Sequence, residues 1–245
     1  MLASMLLTAA IWPNSVAEYC TPFDKTLMVG VAKASNGNFL YCELIDQPSQ
    51  HVLKIDYVKD KKIFASKKLN YTSDATRPSV LQKDFRFGEI RQADVIEQKI
   101  ELHYQANSDK KNSRATLAYK DVDVIDAGFD NFVRAHWDEL QSGKTLSISF
   151  ASMAHVKALP LRVSSQPVSK CDKDINKTTA TYCFYVEIDN AFLRMLLGNI
   201  KLIYDQQHRL EEFNGVVNIL SEKEANQTAT IHYYYRQDYL EKQIP

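Results

Sequence analysis

Alternation of apolar and polar side chains runs through most of this chain. The clearest segment is 144–150, where Leu146, Ile148 and Phe150 are every second residue, and 182–188 repeats the pattern. Because successive side chains on a strand point to opposite faces, such segments predict strands with one buried and one exposed face. Similar segments recur around residues 27–31, 53–57, 100–104, 159–163 and 231–235. Turn-forming residues separate them, so we expect roughly ten to twelve strands, mostly in an antiparallel meander.

Two segments follow the period of a helix instead. The longer one has a mostly apolar stripe in helical register, at Phe129, Phe132, Val133, His136, Trp137 and Leu140. This spacing predicts a helix over 127–141, with Asp126 as its N-terminal cap and Gly143 in the left-handed conformation beyond its end. The shorter segment predicts a helix over 192–197 that stops at Gly198.

A long one-sided sheet and a strongly amphipathic helix together predict one architecture. The chain is mainly β with few helices, and the antiparallel sheet curls around the helix as an incompletely closed β-barrel. A fully closed barrel of the lipocalin type is the alternative, but it would leave the aromatic 127–141 helix outside. No linker-like stretch or internal repeat divides the chain, so we expect residues 18–245 to form a single domain.

The N-terminal residues have the character of a signal peptide. Residues 2–12 form an uncharged apolar run of roughly 11 residues, shorter than the ~20 that a bilayer-spanning helix needs. Ser15 and Ala17 are small residues of the kind that signal peptidase prefers, which predicts a signal peptide over 1–17, cleaved before Glu18. The run has no basic residue ahead of it, and a buried N-terminal helix is the alternative. The prediction places the mature protein in the periplasm or outside the cell, without a membrane-spanning segment.

The four cysteines agree with export, because an even number of cysteines in an exported protein indicates disulfides. Three connectivities are open. The sequential pairing, Cys20 with Cys42 and Cys171 with Cys183, is favoured because each pair brackets a plausible turn. A four-cysteine zinc site is the rival interpretation, but the chain lacks the C-x-x-C spacing that such sites use.

The composition argues against nucleic acid and phosphate ligands. Lys plus Arg and Asp plus Glu both number 30, so the chain lacks the basic excess of a phosphate-tracking surface. Only 7 of 245 residues are glycine, and the sequence contains no glycine-rich phosphate motif, G-x-S-x-G or H-E-x-x-H. Asp172, Asp174 and Asn176 resemble the start of a calcium loop, but Lys177 and Cys183 replace its glycine and its final glutamate. We therefore predict no cofactor and no metal, and an enzymatic role is not favoured.

One group of residues is a candidate for acid–base chemistry. Asp121 and Asp123 share a strand face, and His136 follows on the long helix. Brought together by folding, these three side chains would be a minimal set for hydrolysis. The alternative is a solvated strand face and a histidine at the edge of the helical stripe, and this interpretation needs no chemistry.

Two longer stretches carry a resemblance. Residues 126–140 (DAGFDNFVRAHWDEL) and 201–219 (KLIYDQQHRLEEFNGVVNI) resemble a family of uncharacterised exported bacterial proteins. In overall layout the chain is similar to the half-barrel of the periplasmic lipoprotein carriers, an antiparallel sheet wrapped around helices. That resemblance implies a periplasmic domain whose concave apolar surface takes acyl chains, and it assigns no functional residue.

Three functions follow from these observations. The first is an exported non-enzymatic protein that binds a lipid-like or other apolar envelope ligand in the concave face of the sheet. The second is a structural or assembly partner of an envelope protein, without a ligand cavity. The third and least favoured is a hydrolase that uses Asp121, Asp123 and His136. An apolar pocket above roughly 300 Å³ would favour the first.

Overall fold

The computed structural model describes residues 12–110, 112–171, 181–189 and 199–236, which form one sheet of 15 strands. In chain order the strands are β1 (Met28–Lys33), β2 (Phe39–Ser49), β3 (Val52–Lys59), β4 (Lys62–Asn70), β5 (Ser79–Asp84), β6 (Glu89–Ile96), β7 (Lys99–Gln105), β8 (Ser113–Ala118), β9 (Val124–Ile125), β10 (Thr145–Ser152), β11 (Lys157–Gln166), β12 (Tyr182–Ile188), β13 (Ile200–Tyr204), β14 (Leu210–Val216) and β15 (Thr228–Tyr235). The helices are α1 (Asn14–Ala17), α2 (Gly128–Ala135), α3 (Trp137–Gln141) and α4 (Val168–Cys171), and Tyr119–Asp121 is a short 3-10 helix.

Neighbouring strands in the sheet are also neighbours along the chain, except where β1 lies beside β15. From edge to edge the order is β8-β7-β6-β5-β4-β3-β2-β1-β15-β14-β13-β12-β11-β10-β9. The pair β1 and β15 lies antiparallel in the middle, and β9 runs parallel to β10 at one edge. The two edge strands, β8 and β9, are joined through the 3-10 helix but are not hydrogen-bonded neighbours. The sheet is therefore open along this seam.

This architecture confirms the predicted fold class, a curled and incompletely closed antiparallel barrel, and the closed lipocalin-type alternative is wrong. The expected number of strands is too low, because the described residues contain 15. Strands β5 and β6 show the reason. Their inward positions hold Gln82, Asp84, Glu89 and Arg91, all buried, so neither strand has an apolar face that alternation could reveal.

The predicted 127–141 helix is present as two consecutive helices, α2 and α3. The break falls at His136, whose backbone angles of φ −109° and ψ 22° are not helical. The aromatic stripe nevertheless faces the sheet, as expected. Phe132 and Trp137 are each 7% exposed, and their cluster includes Phe184 of β12. Gly143 has the left-handed φ of 88° that was expected beyond the helix end.

Close approach of two segments explains the glycine at the start of α2. A Cβ atom on Gly128 would lie 2.0 Å from the carbonyl oxygen of Thr76. The same carbonyl accepts a hydrogen bond from the backbone nitrogen of Ile125, at 3.0 Å. Glycine is therefore required where α2 enters the concave side of the sheet.

The other half of the concave side holds the loop 217–227, which connects β14 and β15. Its residues Val217 and Ile219 are buried in the large apolar cluster formed by the inward residues of β2 to β7, among them Tyr41 and Leu69. Helices α2 and α3 pack in a second cluster, against β10 to β13. The chain thus fills the curl from both sides.

A smaller cluster lies on the convex face. Val16 of α1 is fully buried there against Val29, Val31 and Leu44, next to the disulfide-bonded Cys20. Most of the predicted signal peptide, residues 1–11, lies outside the described residues, as does the predicted 192–197 helix. Among the helices that are described, none has the length and apolar character that crossing a membrane requires.

Candidate functional site

Charged and polar side chains occupy inward positions on the concave side of the sheet. Strand alternation places them among apolar residues of the same face, as with Glu43 between Tyr41 and Ile45 on β2. We call this set the interior polar cluster: Glu43, Lys67, Gln82, Asp84, Glu89, Arg91 and Asp126. Each of the seven is at most 7% exposed. Because burying a charge is costly unless it is paired, each partner needs to be identified.

Lys67 of β4 pairs with Asp126, which precedes α2. The Lys67 Nζ lies 2.7 and 3.0 Å from the two carboxylate oxygens. Asp126 also accepts hydrogen bonds from the side-chain amide of Asn218, at 3.0 Å, and from the backbone nitrogen of Ala127, at 2.8 Å. The expected role of Asp126 as helix cap is wrong: Ala127 holds the cap position, because the carboxylate is engaged by Lys67.

Glu43 lies among tyrosines and has no such cation in contact. The Tyr233 hydroxyl donates to its Oε2 at 3.1 Å, and Tyr41 and Tyr57 lie edge to face nearby, with ring centroids 5.8 Å apart. Burial raises the pKa of Glu43 to about 7, although the charge of Lys67 and the Tyr233 hydrogen bond act to lower it. The carboxyl group is therefore part-protonated at neutral pH.

Asp84 and Glu89 lie directly opposite each other on β5 and β6, and both are 1% exposed. Each is held by an arginine two residues further along the chain. Arg86 binds both oxygens of Asp84, at 2.9 and 2.5 Å, and Arg91 binds Oε1 of Glu89 at 2.8 Å. Burial raises the pKa of Glu89, with Asp84 adding to the effect and Arg91 opposing it.

Hydrogen bonds from members of the cluster and from the adjacent Arg86 tie the 217–227 loop to the sheet. The Gln82 side-chain amide donates to the carbonyl oxygen of Asn218 at 2.8 Å, and Arg86 donates to that of Leu220 at 2.9 Å. Arg91 reaches Oδ1 of Asn218 at 3.4 Å. With the Asn218–Asp126 contact, these bonds join the loop to β5, β6, the turn between them and the start of α2. The arrangement suits the fixing of inserted segments, because its members are buried and its carboxylates other than Glu43 are each paired with a cation.

Of the residues predicted for hydrolysis, Asp121 and Asp123 both contact Ser149, whereas His136 has a different partner. Asp123 accepts a hydrogen bond from the backbone nitrogen of Ser149 at 2.8 Å, and Asp121 offers its carbonyl oxygen to the Ser149 hydroxyl. His136 instead lies 3.0 Å from Glu139, one helical turn on, with both side chains well exposed. The expected strand face is wrong, because Asp121 ends the 3-10 helix and Asp123 lies between that helix and β9. His136 lies at the edge of the stripe, as the alternative interpretation expects.

Both sequential disulfides, Cys20–Cys42 and Cys171–Cys183, are present. The residues Asp172, Asp174 and Asn176, which resemble a calcium loop, lie outside the described residues. Within the described part of the chain, no group of three or more His, Cys, Asp or Glu side chains could hold a metal ion.

Two shallow grooves of about 340 Å³ each stand out in the described part of the chain, both on outward-facing strand positions. One lies on β6 to β8 and is lined by polar side chains that include Asp94, Glu101, His103 and Arg114. The other lies on β10 and β11 beside Asp123. Neither lies on the concave side, where the sequence analysis places the ligand site, and the first groove also lacks an apolar lining.

The interior polar cluster was missed by sequence reasoning. Its signal was present as charged residues in the apolar phase of strands, for example Lys67 between Ala65 and Leu69. Because single sequences contain many such interruptions, this signal indicates an inward charge only after the strand register is known.

No family model matches the chain, and no curated protein matches it in sequence. Its fold is similar to a solved structure, that of a beta-barrel-like protein of the domain of unknown function DUF1849 from Brucella abortus. The TM-score is 0.52 and the identity 7%, and the match covers 88% of this chain and 100% of the other. At this identity the likeness shows a beta-barrel-like fold and nothing of function.

Proposed function

We propose that this chain is an exported, non-enzymatic protein of the cell envelope that acts as a structural or assembly partner. One observation carries the proposal: the concave side of the curled sheet is occupied by the chain itself. Helices α2 and α3 take one half, and the loop 217–227 takes the other. A carrier of acyl chains would need that volume for its ligand.

Packing inside the curl supports this choice. Trp137 contacts four aromatic rings from the sheet and the β13–β14 turn. The centroid distances are 3.7 Å to His208, 4.9 Å to Tyr182, 5.1 Å to Phe184 and 5.6 Å to Tyr204. Leu140 and Ile219, one from each inserted segment, are at most 1% exposed. Such contacts are typical of a close-packed protein core, whose apolar surface is buried away from water.

Export is supported by the two disulfides, since disulfides form and persist in oxidising compartments. It agrees with the uncharged apolar run of residues 2–12, whereas cleavage before Glu18 would also remove Val16, which is fully buried in the convex-face cluster. The pairing of the interior charges supports a non-enzymatic role, because Asp126, Asp84 and Glu89 are each engaged by a cation and are removed from solvent.

Native mass spectrometry of the protein purified from its own envelope, followed by lipid extraction, tests the proposal. We expect the mass of the bare, doubly disulfide-bonded chain and no lipid in stoichiometric amount. Recovery of one acyl lipid per chain would contradict the proposal and restore the apolar-ligand function.

A cavity variant provides a positive control for ligand binding inside the curl, with the melting temperature as the measurement. Trp137→Ala removes a buried indole, and cavities of this size, when apolar, take up small apolar molecules. We expect indole to raise the melting temperature of Trp137→Ala and to leave that of the wild type unchanged. The exposed Phe85→Ala is the matched control, because its truncation leaves no cavity.

A further inference from the structure

Five large apolar side chains in the described residues are exposed, and two of them lie together. Ile63 is 43% exposed and Phe85 is 57% exposed. Ile63 belongs to β4, and Phe85 directly follows β5. The backbone nitrogen of Phe85 donates to the carbonyl oxygen of Phe64 at 2.8 Å, which places Phe85 beside the start of β4. The β3–β4 and β5–β6 turns project from the same end of the sheet. We call residues 59–63 and 83–88 the basic rim.

The two turns of the basic rim are well ordered. The β3–β4 turn is a two-residue connection between the paired Lys59 and Lys62, with Asp60 and Lys61 at φ values of 50° and 61°, as a type I′ turn requires. In the β5–β6 turn the Arg86 guanidinium stacks on Phe64 and Phe87, at 4.3 and 4.7 Å from the ring centroids. The exposure of Ile63 and Phe85 is therefore fixed by the surrounding structure.

Basic side chains surround this apolar pair. The basic rim contains five Lys or Arg and two Asp residues. Lys61, Lys62 and Lys83 are exposed, whereas Asp84 is buried under Arg86. Lys83 faces outward on β5, and the exposed Phe85 follows two residues later, just past the end of the strand, so charge and apolar surface lie close together. Lys59 is paired with Glu222. Asp60 offsets only part of the remaining positive charge of the basic rim.

At the opposite end of the sheet, acidic residues balance the exposed Lys25 and Lys99. The exposed apolar side chains at this end are Phe23, at 42%, and Ile96, at 50%. Phe23 is followed by Asp24, and Ile96 by Glu97. Exposed apolar groups thus occur at both ends, but only the basic rim combines them with an excess of positive charge.

We infer that the basic rim docks on an anionic lipid surface. Exposed aromatic and aliphatic side chains enter the headgroup region of a bilayer, and neighbouring lysines are attracted to anionic lipids. In this arrangement Phe85 and Ile63 enter the interface, while Lys61, Lys62 and Lys83 contact lipid phosphates. The inference goes beyond the proposed function, and a lipid inside the curl would leave it standing, because the basic rim lies on the outside.

Flotation with vesicles tests this docking. The probes are vesicles of phosphatidylcholine alone and of phosphatidylcholine with about one-third phosphatidylglycerol. We expect the wild-type protein to float with the anionic vesicles and not with the neutral ones, and high salt to weaken its binding. Ile63→Ser/Phe85→Ser and Lys61→Gln/Lys62→Gln should each reduce the bound fraction about tenfold at fixed lipid concentration.

The matched control is Phe23→Ser/Ile96→Ser, which removes equally exposed apolar groups from the opposite end. It should bind within about twofold of the wild type, since its substitutions avoid the basic rim. Thermal melting of every variant verifies folding, which exposed substitutions leave intact. Lack of wild-type binding to anionic vesicles, equal binding to neutral vesicles, or an equal loss in the control variant would each overturn the inference.

Discussion

Glu43 is the carboxylate of the interior polar cluster whose surroundings least favour its charge. Tyr41, Tyr57 and Tyr233 surround it, and the hydrogen bond from Tyr233 at 3.1 Å does not offset the loss of water. Its pKa is raised to about 7, whereas an unfolded chain has an ordinary glutamate pKa of ~4.3. In contrast, Asp74 at the surface accepts hydrogen bonds from Thr76, Arg77 and Tyr119, which lower its pKa to about 2 against the effect of partial burial.

The raised pKa of Glu43 predicts a pH-dependent stability. The stabilising contribution of its protonated form is complete below the unfolded pKa of ~4.3 and is lost as the pH rises through the folded value of about 7. Glu43→Gln keeps an acceptor for Tyr233 without the charge. We expect this variant to match the wild type near pH 4 and to have a free energy of unfolding about 1–3 kcal/mol higher at pH 8.

Urea denaturation at both pH values measures this difference. The control is Glu101→Gln, which changes an exposed glutamate on β7 and should keep the pH dependence of the wild type. Equal pH dependence of Glu43→Gln and wild type would show that Glu43 titrates normally.

At the scale of elements, the inserted helices depend on a few aromatic contacts. Trp137 is 7% exposed and contacts rings of β12, β13 and the turn between β13 and β14. The Tyr204 hydroxyl donates to Asp130 of α2 at 2.9 Å and joins the helix to β13. The α2–α3 unit is therefore held by both packing and a directional contact.

Trp137→Ala should lower the free energy of unfolding by about 3–5 kcal/mol, the range for a buried aromatic truncation. Phe85→Ala, an exposed aromatic change, should stay within about 0.5 kcal/mol of the wild type. Chemical denaturation of both variants measures the difference. An unchanged midpoint for Trp137→Ala would mean that the stripe faces water in solution.

The helix also shows how much of the fold can be predicted from the sequence. Its stripe is visible because Phe132, Val133 and Trp137 all face one sheet, and the same periodic logic reveals most strands. The break at His136 is not visible, because neither Pro nor Gly marks it and the rings that contact Trp137 come from distant strands. The interior polar cluster is hidden for the same reason, since Lys67 and Asp126 meet only after folding.

At the scale of the whole molecule, the two disulfides brace local segments. Cys20–Cys42 ties the segment after α1 to β2, and Cys171–Cys183 ties α4 to β12. Non-reducing peptide mapping should recover these two pairs, and recovery of a crossed pair or of free thiols would contradict the assignment. Replacing both Cys171 and Cys183 by Ser should lower the free energy of unfolding by about 3 kcal/mol, because the disulfide restricts the conformations of the unfolded chain.

The pairing of β1 with β15 has a consequence for the order in which the sheet can be assembled. Each hairpin on either side needs only its own two strands, so β2 to β8 and β10 to β14 are two independent antiparallel meanders. The middle of the sheet must wait until both ends of the described chain meet, Met28 beside Tyr235. The open seam, conversely, falls where the chain is continuous, between β8 and β9. A chain relinked through its ends and cut at Tyr119–Asp121 would run through all its strands in spatial order.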